Sequence, residues 1–385
     1  MIRLDLSGMF FGGVCLCAAG LTGCDSGSGA DSSGYGALRL GAVLGESTDQ
    51  SPHQSKDAGY ARADAVRDFS FPADHGPHQG FRSEWWYLTV MLSNDLGAEF
   101  GVQFTVFRQA LEPASQSANP WRTPQVFMAH AALTAVREQR HWEAQRLARG
   151  HPRLAGASGA PFRVWVDGWE LRGREGDFAR QRLEVAADEF RVALDLDVVK
   201  APVLQGDRGL SAKGPDQASY YYSVPRLSAT GTIWVGEVAH QVEGSAWLDR
   251  EWSTSVLSGE QVGWDWFALQ LEDATEFMAF RLRRADGARD PYDHGLFVDA
   301  AGATETLGFE DFLLEPEIYW HDDQGVGWPL QWRLTVGDRL LRVRAAVPDQ
   351  RMDTSIVYWE GLVGVFDDSG RRMGRGYMEL TGYGT

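Results

Sequence analysis

Phe190-Arg191-Val192-Ala193-Leu194-Asp195-Leu196-Asp197-Val198 places a large apolar residue at every second position, with Arg191, Asp195 and Asp197 between them. A side-chain period of two marks a strand with one face in a core, because successive Cβ atoms leave opposite sides of the pleat. The pattern recurs on both sides of this stretch. Val164-Trp165-Val166 and Thr232-Ile233-Trp234-Val235 read the same way. Leu330, Trp332, Leu334 and Val336 alternate, Gly337-Asp338 supplies a two-residue turn, and Leu341, Val343 and Ala345 alternate back. Long amphipathic helical periods are missing, and the segment Thr306–Leu314 is the one place where a short helix is expected. Many short strands separated by turn signals predict an all-β chain of antiparallel sandwiches or barrels.

The N-terminal part has a different character. Residues 8–20 are apolar and follow a short leader in which Asp5 offsets Arg3. This stretch suits a secretory signal and is too short to span a bilayer as a helix. It closes with Leu21-Thr22-Gly23-Cys24, which resembles the lipobox of bacterial lipoproteins. The resemblance implies cleavage after residue 23 and lipidation of Cys24. Asp25, directly after the cysteine, implies by the same resemblance the inner membrane rather than the outer, with the protein on the periplasmic face of the envelope. Residues 24–65 are rich in Ser, Gly, Asp and Ala, a composition that buries too little apolar surface to order itself, and they read as a disordered tether. Cys15 and Cys17 lie within the signal, so the mature chain has neither a disulfide nor a thiol nucleophile.

About 320 residues follow Ala65, enough for two domains. With 15 Trp, 19 Phe and 11 Tyr, they hold an unusual supply of large rings for cores or ligand cavities. The net charge of −17, with no Lys/Arg-rich stretch, excludes nucleic acid as a natural partner and fits a solubility role. A duplication is visible within this body. Glu84-Trp85-Trp86-Tyr87-Leu88 leads through a turn to Glu99-Phe100, and Gly263-Trp264-Asp265-Trp266-Phe267 leads through a shorter one to Glu276-Phe277. Two similar barrels, each opening with a Trp-rich hairpin, are expected.

Several longer motifs occur in order: Phe71-Pro72-Ala73-Asp74-His75-Gly76-Pro77-His78, then Phe81-Arg82-Ser83-Glu84-Trp85-Trp86-Tyr87, Met128-Ala129-His130-Ala131-Ala132 and Ser219-Tyr220-Tyr221-Tyr222-Ser223. Gly244-Ser245-Ala246-Trp247-Leu248-Asp249-Arg250-Glu251-Trp252-Ser253 and Tyr377-Met378-Glu379-Leu380-Thr381-Gly382-Tyr383 complete the set. Over residues 66–385 the chain resembles the AttH-type secreted-hydrolase family, which is related to the bacterial carotenoid 1,2-hydratases. The resemblance implies two tandem lipocalin-like (calycin) barrels, at 66–253 and 254–385. It also implies an association, in some relatives, with ABC-type lipoprotein export systems. Residue by residue, Asp249 falls on the hydratases' key aspartate and Trp247 on a tyrosine, while Tyr220 and Tyr222 stand where a histidine and a tryptophan occur.

The residues themselves permit proton chemistry. Period two puts Trp247 and Asp249 on one strand face and Tyr220 and Tyr222 on one face of another. A carboxyl inside an aromatic-lined barrel is desolvated, becomes a weaker acid, and can donate a proton while ring faces stabilise a developing cation. Alternatively, Asp249 is an ion-pair partner of Arg226 or Arg250 at the barrel junction. In Trp85-Trp86-Tyr87, one set of rings is core and the other is available to ligand; Trp264 and Trp266 join the ligand candidates. His75 and Glu84 are expected to hold a loop over a barrel mouth. Asp74, His75 and His78 are too few for a metal centre, and none is expected. No G-x-S-x-G elbow occurs; Gly156-Ala157-Ser158-Gly159-Ala160 fails at its last position.

The expected protein is therefore an envelope-anchored pair of barrels, without cofactor, binding an elongated isoprenoid or lipid-like molecule. The alternatives are a cofactor-independent hydratase with Asp249 as acid and Tyr220, Tyr222 and Trp247 around it, or a non-catalytic accessory subunit of an ABC exporter.

Overall fold

A computed structural model describes residues 59–113, 123–254 and 257–384. The signal, Cys24 and the tether as far as residue 58 lie outside the described residues. The end of the segment read as tether is bound to the body: Ala61 N–H donates to Gly80 O at 2.8 Å, Tyr220 Oη donates to Ala65 O at 2.7 Å, and Ala63 is buried. Tyr60 Oη also donates to Ala110 O at 3.1 Å and Arg62 to Asp216 O at 2.7 Å; composition alone missed this, because the partners lie far away in the sequence.

The described chain is all-β, its helical element being a single 3₁₀ turn at Ala73–His75. The first sheet opens with β1 (Ser83–Ser93), β2 (Glu99–Ala110), β3 (Gln125–Ala135) and β4 (Arg140–Arg149). It continues with β5 (Ala155–Gly159), β6 (Phe162–Val166), β7 (Trp169–Arg174), β8 (Asp177–Ala186) and β9 (Phe190–Val198). Two short strands, β10 (Val203–Leu204) and β11 (Leu210–Ala212), precede the long pair β12 (Ala218–Val235) and β13 (Val238–Ser253). The second sheet holds β14 (Gln261–Leu271), β15 (Glu276–Arg284), β16 (His294–Val298), β17 (Thr304–Leu307) and β18 (Phe312–His321). Its remaining strands are β19 (Gly327–Val336), β20 (Arg339–Ala345), β21 (Arg351–Asp353), β22 (Val357–Phe366) and β23 (Arg372–Leu380).

Both sheets are antiparallel and share one plan. Each is a meander whose last strand returns to pair with its first, β13 on β1 and β23 on β14, and each is interrupted after its fourth strand, between β4 and β5 and between β17 and β18. The duplication read from the two Trp-rich hairpins is thus a repeat of topology. The β19–β20 turn falls at Gly337-Asp338, where Gly337 takes φ +53°, a conformation that glycine adopts without strain.

The helix expected at Thr306–Leu314 is absent. Thr304–Leu307 is strand, Gly308 to Asp311 form a turn closed by Asp311 N–H on Gly308 O at 3.0 Å, and Phe312 begins β18. Leu307, Phe312 and Leu314 enter the core as strand residues on either side of that turn.

Three cores result. The inner face of the first sheet packs Trp86, Leu88, Phe104, Leu194, Tyr222 and Trp252 among others, and that of the second packs Phe267, Trp328, Trp332 and Trp359. A third core lies between the sheets, where outward-facing residues of β1, β2, β12 and β13 meet those of β14, β15, β22 and β23. Many of the rings that the sequence supplies are shared among these three cores.

Candidate functional site

The site lies in the third core. On β13 the pleat sends Trp247, Asp249 and Glu251 toward the second sheet, and on β12 it sends Tyr221 and Ser223 the same way; Ser223 stands opposite Asp249, and Tyr221 opposite Glu251. From β1, Tyr87 pairs with Asp249 from the other side. The second sheet answers with Trp264 and Trp266 on β14, Tyr358 and Glu360 on β22, and Glu379 on β23, which lies between Trp266 and Glu360 in register. The cleft between them is lined by these side chains with Trp85, Phe107, Lys213 and Phe280. Its empty space, counted to the open mouth, is about 650 Å³, of which about 50 Å³ admits the centre of a water-sized sphere.

Asp249, 2 % exposed, accepts hydrogen bonds from Tyr221 Oη at 2.7 Å, Ser223 Oγ at 2.5 Å and Trp247 Nε1 at 2.6 Å. Trp266 Nε1 in turn donates to Tyr221 Oη at 3.2 Å. Burial raises the Asp249 pKa to about 7, although the three donors pull the other way. Burial likewise lifts Glu379 to about 8, with the charges of Asp249 and Glu251 adding to it, and Glu360 lies well above the usual range from burial and from Glu379 beside it. Tyr87 Oη donates to Glu360 Oε1. Glu251 is held by Lys213 and by the Ser219 hydroxyl. Neither arginine proposed as a partner of Asp249 reaches it: Arg226 pairs with Glu276, and Arg250 with Glu84 at 3.1 Å.

Five expected site residues face the other way: Glu84, Trp86, Tyr220 and Tyr222 each sit one residue out of phase with the cleft on their strands, and His75 lies in the 3₁₀ turn. Trp86, Tyr220 and Tyr222 belong to the inner core of the first sheet. Tyr222 Oη bonds His75 Nδ1 at 2.6 Å, and the His75 ring stacks on Phe178. Trp86 Nε1 donates to His75 O at 3.0 Å, with the Arg250 guanidinium 3.9 Å above its ring. Glu84 accepts from Arg108, Arg250 and the backbone N–H of His78, and these cations hold its pKa well below the usual range despite burial. These residues lock the Ala73–His78 loop onto the first sheet, and none of the five lines the cleft. His75 and His78 serve different partners: His78 bonds Asp74 at 3.1 Å and Glu84 at 3.2 Å.

The AttH-like family model matches residues 62–383. The chain belongs to the AttH-like family. A crystal structure described as a putative AttH from Nitrosomonas europaea is 33 % identical, covers 84 % of this chain and 99 % of its own, and superposes with a TM-score of 0.75. Kievitone hydratase from Nectria haematococca, at 15 % identity, covers 85 % of this chain and 96 % of its own with a TM-score of 0.64, and so shares the fold. None of the curated proteins matches the sequence.

In this AttH-like protein, Asp249 and Trp247, read as catalytic candidates, and Trp85, Tyr87, Trp264 and Trp266, read as ligand candidates of two separate barrels, meet in the region between the sheets. Sequence reasoning missed Tyr221, Lys213, Glu251, Tyr358, Glu360 and Glu379. A signal existed for two of these. Glu360 is a lone acid in the otherwise apolar run Val357–Phe366, and Glu379 is the lone acid in Tyr377-Met378-Glu379-Leu380. An acid that interrupts a strand buried on both faces must have a partner or a task.

Proposed function

We propose that this AttH-like protein admits an elongated apolar molecule, isoprenoid or lipid-like, to the cleft between its sheets and adds water to, or removes it from, a carbon–carbon double bond there. The observation that carries this reading is Asp249: a buried carboxyl with a pKa of about 7, set among rings and facing two further carboxyls of raised pKa. Hydration needs a proton delivered to one alkene carbon, stabilisation of the cation at its neighbour, and removal of a proton from the attacking water. Groups that titrate near the working pH serve both transfers best, and the faces of Trp85, Trp264 and Trp266 suit the cationic stage. The fold shared with a protein named as a hydratase supports the same class of reaction.

Asp249→Asn tests it. The variant preserves shape and removes the proton exchange, so turnover of a polyisoprenoid alkene is expected to fall by roughly 10²–10⁴ while native mass spectrometry still shows the bound molecule. Full turnover by the variant, or no affinity of the intact protein for any polyene or fatty acyl chain, would overturn the proposal. We also propose that Cys24 carries a lipid that keeps the cleft at the envelope surface; Cys24→Ala is then expected to move the protein from the membrane to the soluble fraction.

A further inference from the structure

Asp249 and Glu360 face one cleft from different sheets, and their surroundings treat them oppositely. Both oxygens of Asp249 are engaged: Tyr221 Oη reaches Oδ2, while Ser223 Oγ and Trp247 Nε1 reach Oδ1. The indole can only donate, and Tyr221 already accepts from Trp266, which directs its own hydrogen toward Asp249. Three donors converging on two oxygens match the ionised, acceptor-only form.

Glu360 is the reverse. Tyr87 Oη donates to its Oε1, but Oε2 has no hydrogen-bond partner among the described residues, although Glu360 is 1 % exposed. A buried carboxylate with an empty oxygen is expensive, whereas a carboxylic acid there carries a hydrogen it can offer to a ligand. Glu379 stands directly opposite in the β22–β23 register, and like charges so placed oppose each other's ionisation. The other groups facing this pair are Tyr358 and Tyr377 from its own sheet, and Tyr87, Asp249 and Glu251 from the first. Lys213, the one cation among the described lining residues, is paired with Glu251.

We infer that Glu360 is the proton donor of the cleft and that Asp249 is its base, reversing the role that the sequence suggested for Asp249. In the hydration direction, the alkene π pair forms a C–H bond with the Glu360 proton, water oxygen bonds to the neighbouring carbon, and that water's proton passes to Asp249. Glu360 ends ionised and Asp249 protonated, and exchange with solvent at the mouth restores both. The substrate step rests on the hydratase reading; the resting positions of the protons do not.

The test therefore uses the resting protein, by infrared difference spectroscopy at pH about 8, above the ordinary carboxyl range. Subtracting the Asp249→Asn spectrum from that of the intact protein is expected to reveal the loss of an ionised carboxylate band. Subtracting the Glu360→Gln spectrum is expected to reveal the loss of a protonated carboxyl band. An Asp249→Asn difference in the protonated region would overturn the assignment even if Glu360→Gln failed to fold. A failure of the hydratase reading would appear separately, as intact protein with the expected bands and no turnover.

Discussion

Each oxygen around Asp249 has an identifiable role, and Tyr221 has two, accepting from Trp266 and donating to the carboxylate. Tyr221→Phe removes one donor from the ionised form, so the Asp249 pKa is expected to rise further above about 7. The loss of the bond is expected to cost about 0.5–1.5 kcal/mol of stability in urea denaturation. Tyr220→Phe is the control. Its hydroxyl binds Ala65 O on the opposite face, so an infrared titration of Asp249 is expected to remain unchanged. Asp249 was legible in the sequence because Trp247 and Asp249 alternate with Leu248. Tyr221 was not, because three consecutive tyrosines carry no mark of which face each takes.

That ambiguity belongs to the strands. β9 has one wet face and could be read directly, its buried residues alternating with Arg191, Asp195 and Asp197. β1, β12 and β13 are covered on both sides along the stretch that forms the site, by the inner core of the first sheet and by the second sheet. Without a polar face, the period of two locates the strand and leaves its phase open, so Trp86, Tyr220 and Tyr222 read as site candidates as readily as their neighbours. The two neighbouring tryptophans of β1 can demonstrate the phase. Trp86→Ala empties part of the first sheet's core and is expected to cost about 3–5 kcal/mol, read as a lower denaturation midpoint. Trp85→Ala opens only the partly exposed wall of the cleft, so its midpoint is expected to change less while retention of an apolar ligand in native mass spectrometry falls.

The two sheets bury a common core, and the described body is expected to unfold in one transition, with ring fluorescence and far-ultraviolet circular dichroism coincident. The charges inside it make that transition depend on pH in a direction that can be worked out. Asp249 and Asp293 at about 7, Glu379 at about 8 and Glu360 above the usual range keep protons in the folded state that the unfolded chain releases near pH 4. Their stabilisation is complete below the unfolded pKa and is lost as pH rises through the folded values. The buried histidines act oppositely. His75 at about 3 and His130, His141 and His294 at about 4 stay neutral when folded, so acidification below about 6.5 favours the unfolded chain. Between about 4 and 6.5 the two sets oppose each other; above 6.5 only the carboxyls act. Stability measured by urea unfolding is therefore expected to fall from pH about 6.5 to about 8.5, by roughly 1.4 kcal/mol per pH unit for each proton still retained. Glu379→Gln removes that titrating group from both states and with it one proton retained only on folding, so the decline is expected to be shallower than in the intact protein. An equal or steeper slope in the variant would show that Glu379 is ionised in the folded state and that the carboxyl wall opposite Asp249 holds less protonation than its burial implies.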